Sequence, residues 1–261
     1  MRATLYSSGG KALQGTGLAL LLTLAMAVQA EENAFAKLNQ QLYQTTKERF
    51  KGSPDNDEAA WRFARACFEW AEFATANADR AALAEEGIAA ARSLIVRKPE
   101  EAAGHYYLGM NLGQLARTRT LTALGIVSDM EEHFEKARQL DKFIDYAGPD
   151  RYLGMLYRDA PGWPASIGNR KKARLHLERA VELRPDYPEN QIALLESYRE
   201  WGDKDAFLKH FGPAAVAIAE ARSKLIGEYW EGRWTGWDKD WHDLRAYKAA
   251  LEPERNVFRS R

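Results

Sequence analysis

The chain has 261 residues, 46% hydrophobic and 28% charged, with 37 basic side chains against 37 acidic ones. Such a balance leaves no electrostatic footprint for nucleic acid or an anionic membrane surface, and neither is expected as a partner. Cys67 is the only cysteine, which excludes an internal disulfide and makes stability a matter of packing alone.

At the amino terminus Arg2 and Lys11 precede an apolar run from Leu18 to Val28, and Val28-Gln29-Ala30 before Glu31 has the small-x-small form of a cleavage site. Residues 1–30 therefore read as a secretory signal, and the mature chain as periplasmic or secreted. The run is 11 residues long, short of the roughly 20 that cross a bilayer; an uncleaved anchor is the competing reading. With no Cys near the cleavage point and no later apolar stretch of spanning length, neither a lipid anchor nor stable membrane insertion is expected after cleavage. Cleavage leaves 231 residues and takes the formal charge from 0 to −2, because residues 1–30 hold two basic side chains and no acidic one.

Helical periodicity then continues along the chain. Ala34, Leu38 and Leu42, with Phe50 later, mark an amphipathic helix over 34–50 that Gly52 and Pro54 stop, so 31–54 form an N-terminal helical segment. Asp55 or Asp57 caps a helix over 57–75 carrying Trp61, Ala64 and Phe68, with Cys67 a buried, inert thiol; Asn77 or Asp79 starts the next, which runs to Arg97 before Pro99. Tyr107-Leu108-Gly109 opens a further helix, and His133-Phe134-Glu135-Lys136-Ala137-Arg138 closes its partner, with Met130 where a small residue is expected. The clearest pair is Tyr152-Leu153-Gly154-Met155-Leu156-Tyr157 followed by Ala173, Leu177, Ala180 and Pro185. Gly154 and Ala173 allow close approach, Leu153 and Tyr157 fill the seam, and Pro185 ends the second helix. Leu194-Leu195 and Tyr198 repeat the motif, with Trp201-Gly202-Asp203 as the turn, and after Gly212-Pro213 a striped helix from Ala214 to Tyr229 can cap the array. No run of alternating polarity competes for a sheet, so the fold class is all-α.

The unit Leu-Gly-x-x-Tyr, Ala-x-x-x-(apolar)-x-x-Ala, Pro resembles the tetratricopeptide repeat (TPR), which implies a right-handed helical solenoid of antiparallel helix pairs. Equivalent positions Ala64, Leu108, Leu153 and Leu194 lie 44, 45 and 41 residues apart, against about 34 in the plain repeat. The excess falls to insertions at 117–129 and 159–168, inside the helix pairs, which either project from a binding face or only lengthen the hairpins. The organisation is then a repeat domain of about four units over 55–211 and a Trp-rich capping region over 212–261. Leu121 to Val127 leading into Glu131 to Ala137, then Leu153-Gly154-Met155-Leu156-Tyr157, is similar to the repeat region of the regulator-of-microtubule-dynamics family. It also resembles the TPR proteins that accompany tripartite ATP-independent periplasmic transporters, which implies association with a periplasmic binding protein; the lipid-bearing Cys typical of those components is absent here.

The resemblance implies that the first helix of each unit lines a concave groove, and helical spacing from the seam positions then sends Arg62, Glu69, Tyr106, Met110, Arg151, Met155, Arg158, Glu196 and Arg199 toward it. Arginine suits carboxylates and methionine suits irregular apolar shapes, so such a face fits a small molecule with an anionic head and a partly apolar body; alternatively the charges pair across helices. Trp163 in the insertion and Trp230, Trp234, Trp237 and Trp241 near the end either stack against a ligand or pack back onto the solenoid. The five histidines are scattered, His133 among glutamates and His242 among aspartates on what read as solvated faces, and no nucleophile elbow, metal pattern or Gly-rich nucleotide loop is present. No catalytic residue, metal or cofactor is expected. The reading is an exported scaffold for a protein or peptide partner, the alternative a binding protein for a small anionic ligand.

Overall fold

A computed structural model describes residues 33–119 and 123–259; the proposed signal, 1–30, lies outside them. Helix α1 covers 33–52. It is followed by α2 (Asp57–Ala71), α3 (Asn77–Arg97), α4 (Ala102–Ala116), α5 (Ala123–Leu140), α6 (Ile144–Asp159), α7 (Arg170–Leu183), α8 (Pro188–Glu200), α9 (Lys204–Arg222) and α10 (Glu228–Arg259). Four hairpins, α2/α3, α4/α5, α6/α7 and α8/α9, stack so that the first helix of each touches the first helix of the next, and α10 packs against α8. This is the expected all-α solenoid.

Small residues set the helix spacing as the repeat pattern requires. A Cβ on Gly154 would lie 2.5 Å from Leu177 Cγ, and one on Gly109 would lie 2.7 Å from the Phe134 ring. The bulky Met130 is accommodated from the other side, since its Cε rests over Gly113 of α4. The seam residues Ala64, Leu108, Leu153 and Leu194 are all buried. Cys67 is buried among them, and burial pushes its thiol pKa up, which makes it a poor nucleophile.

Several local expectations are corrected. Asn56, rather than Asp55 or Asp57, caps α2, its side chain accepting from the Ala59 amide at 2.8 Å, and α2 ends at Ala71. Helix α3 does run from Asn77 to Arg97 as expected, though no side chain caps it. Of the expected insertion at 117–129, residues 123–129 are helical and belong to α5, and 120–122 lie outside the described residues. The expected helix 214–229 is really the end of α9, which runs through Pro213 to Arg222; Gly212 and Pro213 lie on its exposed side, where the backbone bond that proline removes is lost facing water. His133 is half-buried and pairs with buried His105, Nδ1 to Nδ1 at 3.1 Å, instead of standing on a solvated face.

The 159–168 segment is a built loop. Gly162 and Gly168 form a parallel bridge, the Gly168 amide donates to Pro161 O at 2.9 Å, and the Asn169 amide to Tyr157 O at 2.8 Å. A Cβ on Gly168 would sit 2.0 Å from Ala160 O, so only glycine fits. Asn169 then caps α7 by accepting from the amides of Lys171 and Lys172.

Candidate functional site: a cleft between the two ends of the solenoid

Helix α10 does more than cap the last hairpin. Its first turns cross the face formed by the first helices of the units and reach α1 and α2 at the other end. Gly232 meets the Phe35 ring so closely that a Cβ there would lie 2.0 Å from it, and Phe35 also contacts the edge of Tyr229 at 6.2 Å between centroids. Glu69 of α2, 9% exposed, accepts from Arg65 Nε at 3.0 Å, from Tyr229 Oη at 2.9 Å and from Arg233 Nη2 at 3.3 Å. Burial alone would weaken the Arg233 charge; Tyr229, Tyr187, Glu189 and Glu69 outweigh it and hold the guanidinium ionised.

The opposite wall is a strained turn. Asp145, Tyr146 and Ala147 have φ of 47°, 57° and 65°, a left-handed run that costs L residues energy and persists only where its surroundings enforce it. The enforcing residue is Arg151, 1% exposed: Nη2 donates to Asp145 Oδ2 and Nη1 to Asn190 Oδ1, both at 2.9 Å, while Nε lies 3.6 Å from Glu189. Asn190 Nδ2 in turn donates to Tyr146 O at 2.9 Å, and Tyr106 Oη to Asp145 Oδ2 at 2.5 Å. Burial first, and Asp145 next, push the Tyr106 phenol pKa far up, so it stays a donor. Gly148 completes the turn, since any Cβ there would strike the Tyr106 ring.

Between these parts remains a cleft of about 840 Å³. Leu38 and Leu42 of α1 face Trp61, Arg62, Arg65 and Glu69 of α2, Glu101 and Tyr107 bound it at the start of α4, and Asp145, Tyr146, Tyr187, Glu228, Tyr229 and Trp230 close the far side. The walls are pinned by stacking: Trp61 on Tyr107 at 5.9 Å and 9°, Tyr146 on Tyr187 at 4.3 Å and 8°.

Of the nine groove residues expected from spacing, only Arg62 and Glu69 line this cleft. Tyr106, Met110 and Arg151 are buried and unavailable, because neighbouring hairpins and the strained turn cover them. Met155 and Glu196 line a smaller cavity of about 280 Å³ beside Trp237 and Asp240, on the other side of α10. Burial raises the carboxyl pKa of both Glu196 and Asp240. Arg158 bonds to Asp159 and to Ser197 Oγ at 3.0 Å, and Arg199 lies 3.9 Å from Glu196. The groove residues thus divide among a cleft, a core and a second cavity, with Arg158 and Arg199 held in local polar pairs, because α10 occupies the surface that would have joined them. Trp234 and Trp237 are core residues, Trp241 stacks on Phe211 at 4.8 Å, Trp230 is a cleft wall, and Trp163 stands 88% exposed on its loop. Arg65, Asp145 and Tyr146 belong to the site and were missed; the signals were Arg65 at i−4 from Glu69, and Asp145-Tyr146-Ala147-Gly148-Pro149, which carries the composition of a turn ahead of a helix.

No described helix is long and apolar enough to cross a membrane. Residues 24–145 match the model of the regulator of microtubule dynamics protein 1-3 family. No curated protein matches the chain in sequence. Among solved structures, TTC0263, a thermophilic TPR protein of Thermus thermophilus, aligns at a TM-score of 0.53 and 21% identity over 84% of this chain and 97% of that one. MamA aligns at a TM-score of 0.49 and 16% identity over 69% and 89% of the two chains. Four stacked hairpins with glycine and alanine at their seams, together with the first of these alignments, place the chain in the TPR-like fold.

Proposed function

We propose that the chain is a non-catalytic interaction scaffold that acts outside the cytoplasm, delivered by the signal at 1–30, and that its partner enters the cleft between α1, α2, α4 and α10. The observation that supports this most directly is the occupancy of the groove. The face that a TPR-like array offers to ligands already holds part of α10, and the aromatic-walled cleft at its rim is larger than the cavity on the other side of that helix. The matched family's name refers to microtubule dynamics; an exported chain would not meet tubulin, so only the architecture carries over.

A second reading, a small and partly apolar anionic molecule as ligand, is favoured by size. The cleft's 840 Å³ falls inside the roughly 300–1,000 Å³ of small-molecule sites. Two measurements test the proposal. Amino-terminal sequencing of the protein made in its native host should begin at Glu31; a cytosolic product beginning at Met1 removes the compartment. Capture of envelope proteins on the tagged mature chain should be lost in Leu42→Glu and Arg62→Glu and kept in Trp163→Ala; retention by both cleft variants moves the interaction to another face.

A further inference from the structure

The polar groups around the cleft are unevenly spent. Glu69 and Asp145 are saturated by Arg65, Tyr229, Arg233, Arg151 and Tyr106. The guanidinium of Arg62 uses Nε on Glu58 at 2.8 Å and lies over Trp61 at 4.8 Å, which leaves both Nη groups without a hydrogen bond among the described residues. Arg65 uses Nε on Glu69 and Nη2 on Tyr229 Oη at 2.7 Å, which leaves Nη1 in the same condition. These two arginines stand one turn apart on α2, and Arg65 is held rigidly by its bonds. Two carboxylates make no side-chain hydrogen bond or ion pair among the described residues: Glu101, at the start of α4, which shares the field of Lys98, and Glu228, at the start of α10. An anion alone would answer the guanidinium donors and be repelled by these carboxylates; a cation alone would do the reverse. Leu42, 37% exposed, and Leu38 add an apolar surface between the charged groups.

Resting on the small-ligand reading of this cleft, we propose that it binds a small zwitterion of amino-acid or short-peptide chemistry. The carboxylate sits on Arg62 and Arg65, the ammonium on Glu101 and Glu228, and apolar side chains lie against Leu38 and Leu42. The walls are fixed by the strained turn and the Glu69 network, so the site needs little ordering on binding.

Isothermal titration calorimetry of the mature chain tests this with three probes: leucyl-phenylalanine, its N-acetyl form and its carboxamide. The free dipeptide should bind, and each blocked form at least about tenfold more weakly, the factor that a lost charge-assisted pair supplies. Arg62→Gln should erase the preference for the free dipeptide over the carboxamide, and Glu101→Gln the preference over the N-acetyl form. Arg62 is exposed, and Glu101, half-buried at the N-cap of α4, makes no side-chain cap bond, so both variants should keep the parent's melting temperature. Equal binding of the free and either blocked form overturns the proposal. No binding of any probe, with capture of envelope proteins intact and still sensitive to Leu42→Glu, also overturns it and leaves the scaffold reading standing.

Discussion

Arg151 stands where helical spacing alone sends a side chain outward, yet only 1% of it meets solvent. Its role is to neutralise Asp145 and Glu189 while fastening the left-handed turn. Arg151→Gln should therefore destabilise the fold by roughly 3–5 kcal/mol, because it takes the counter-charge from Asp145 and unfastens the left-handed turn, while Glu189 keeps Arg233 Nη1 at 3.6 Å; a denaturant melt within about 1 kcal/mol of the parent would contradict this. Gly154 behaves differently from a generic helix glycine. Alanine gains about 1 kcal/mol in helix propensity, but its Cβ, 2.5 Å from Leu177 Cγ and 3.1 Å from the Leu177 amide nitrogen, overpacks the seam at a cost of roughly 1–3 kcal/mol. Gly154→Ala should be destabilising, and Gly154→Leu more so; thermal melts of the pair decide it. The register that puts Gly154 in the seam was legible from the Leu-Gly-x-x-Tyr spacing. The fate of Arg151 was not, because it depends on a turn and on Glu189, 38 positions away.

The His105 and His133 pair gives a pH dependence at the same scale. In the tautomer that satisfies both contacts, His105 Nε2–H donates to Pro99 O at 2.9 Å and His133 Nδ1–H to His105 Nδ1. Burial first, and His105 next, hold the His133 pKa below its ordinary 6.5. The unfolded chain then takes up the proton before the folded one does, so this contribution is complete above about 6.5 and is lost as pH falls from there toward the lowered folded value. His210, lowered by burial, acts in the same sense. The melting temperature of the parent should fall more between pH 7 and 5.5 than that of His133→Gln; parallel curves would contradict the assignment.

At the scale of elements, α10 decides what the repeat can do. Trp163 and the four tryptophans of α10 read from sequence as either ligand-stacking or packing residues, and composition cannot separate the two, since an indole serves both. The structure separates them by burial: Trp234 and Trp237 are 4% and 6% exposed, whereas Trp163 is 88% exposed. Trp237→Ala should cost roughly 3–5 kcal/mol, and Trp163→Ala should stay within about 0.5 kcal/mol, measured by urea unfolding. Comparable losses at both sites would mean that the loop tryptophan packs in solution. The helix pairs were legible because glycine, alanine and proline punctuate them every 40 or so residues. Passage of α9 through Pro213 was not, because its cost depends on which side of the helix meets water.

Across the whole molecule, the solenoid follows from local pattern, while closure does not. Contact of Phe35 with Gly232 and Tyr229 joins positions almost 200 residues apart, and no periodicity announces it. That contact turns an open groove into a cleft, where partners or ligands are proposed to enter. A photo-reactive phenylalanine analogue placed in turn at Leu42 in the cleft, at Trp163 on the loop and at Val216 on α9 tests it most directly in the native host's envelope. Adducts identified by mass spectrometry should form from position 42 and be absent from 163 and 216. Adducts from 163 or 216 with none from 42 would contradict the claim.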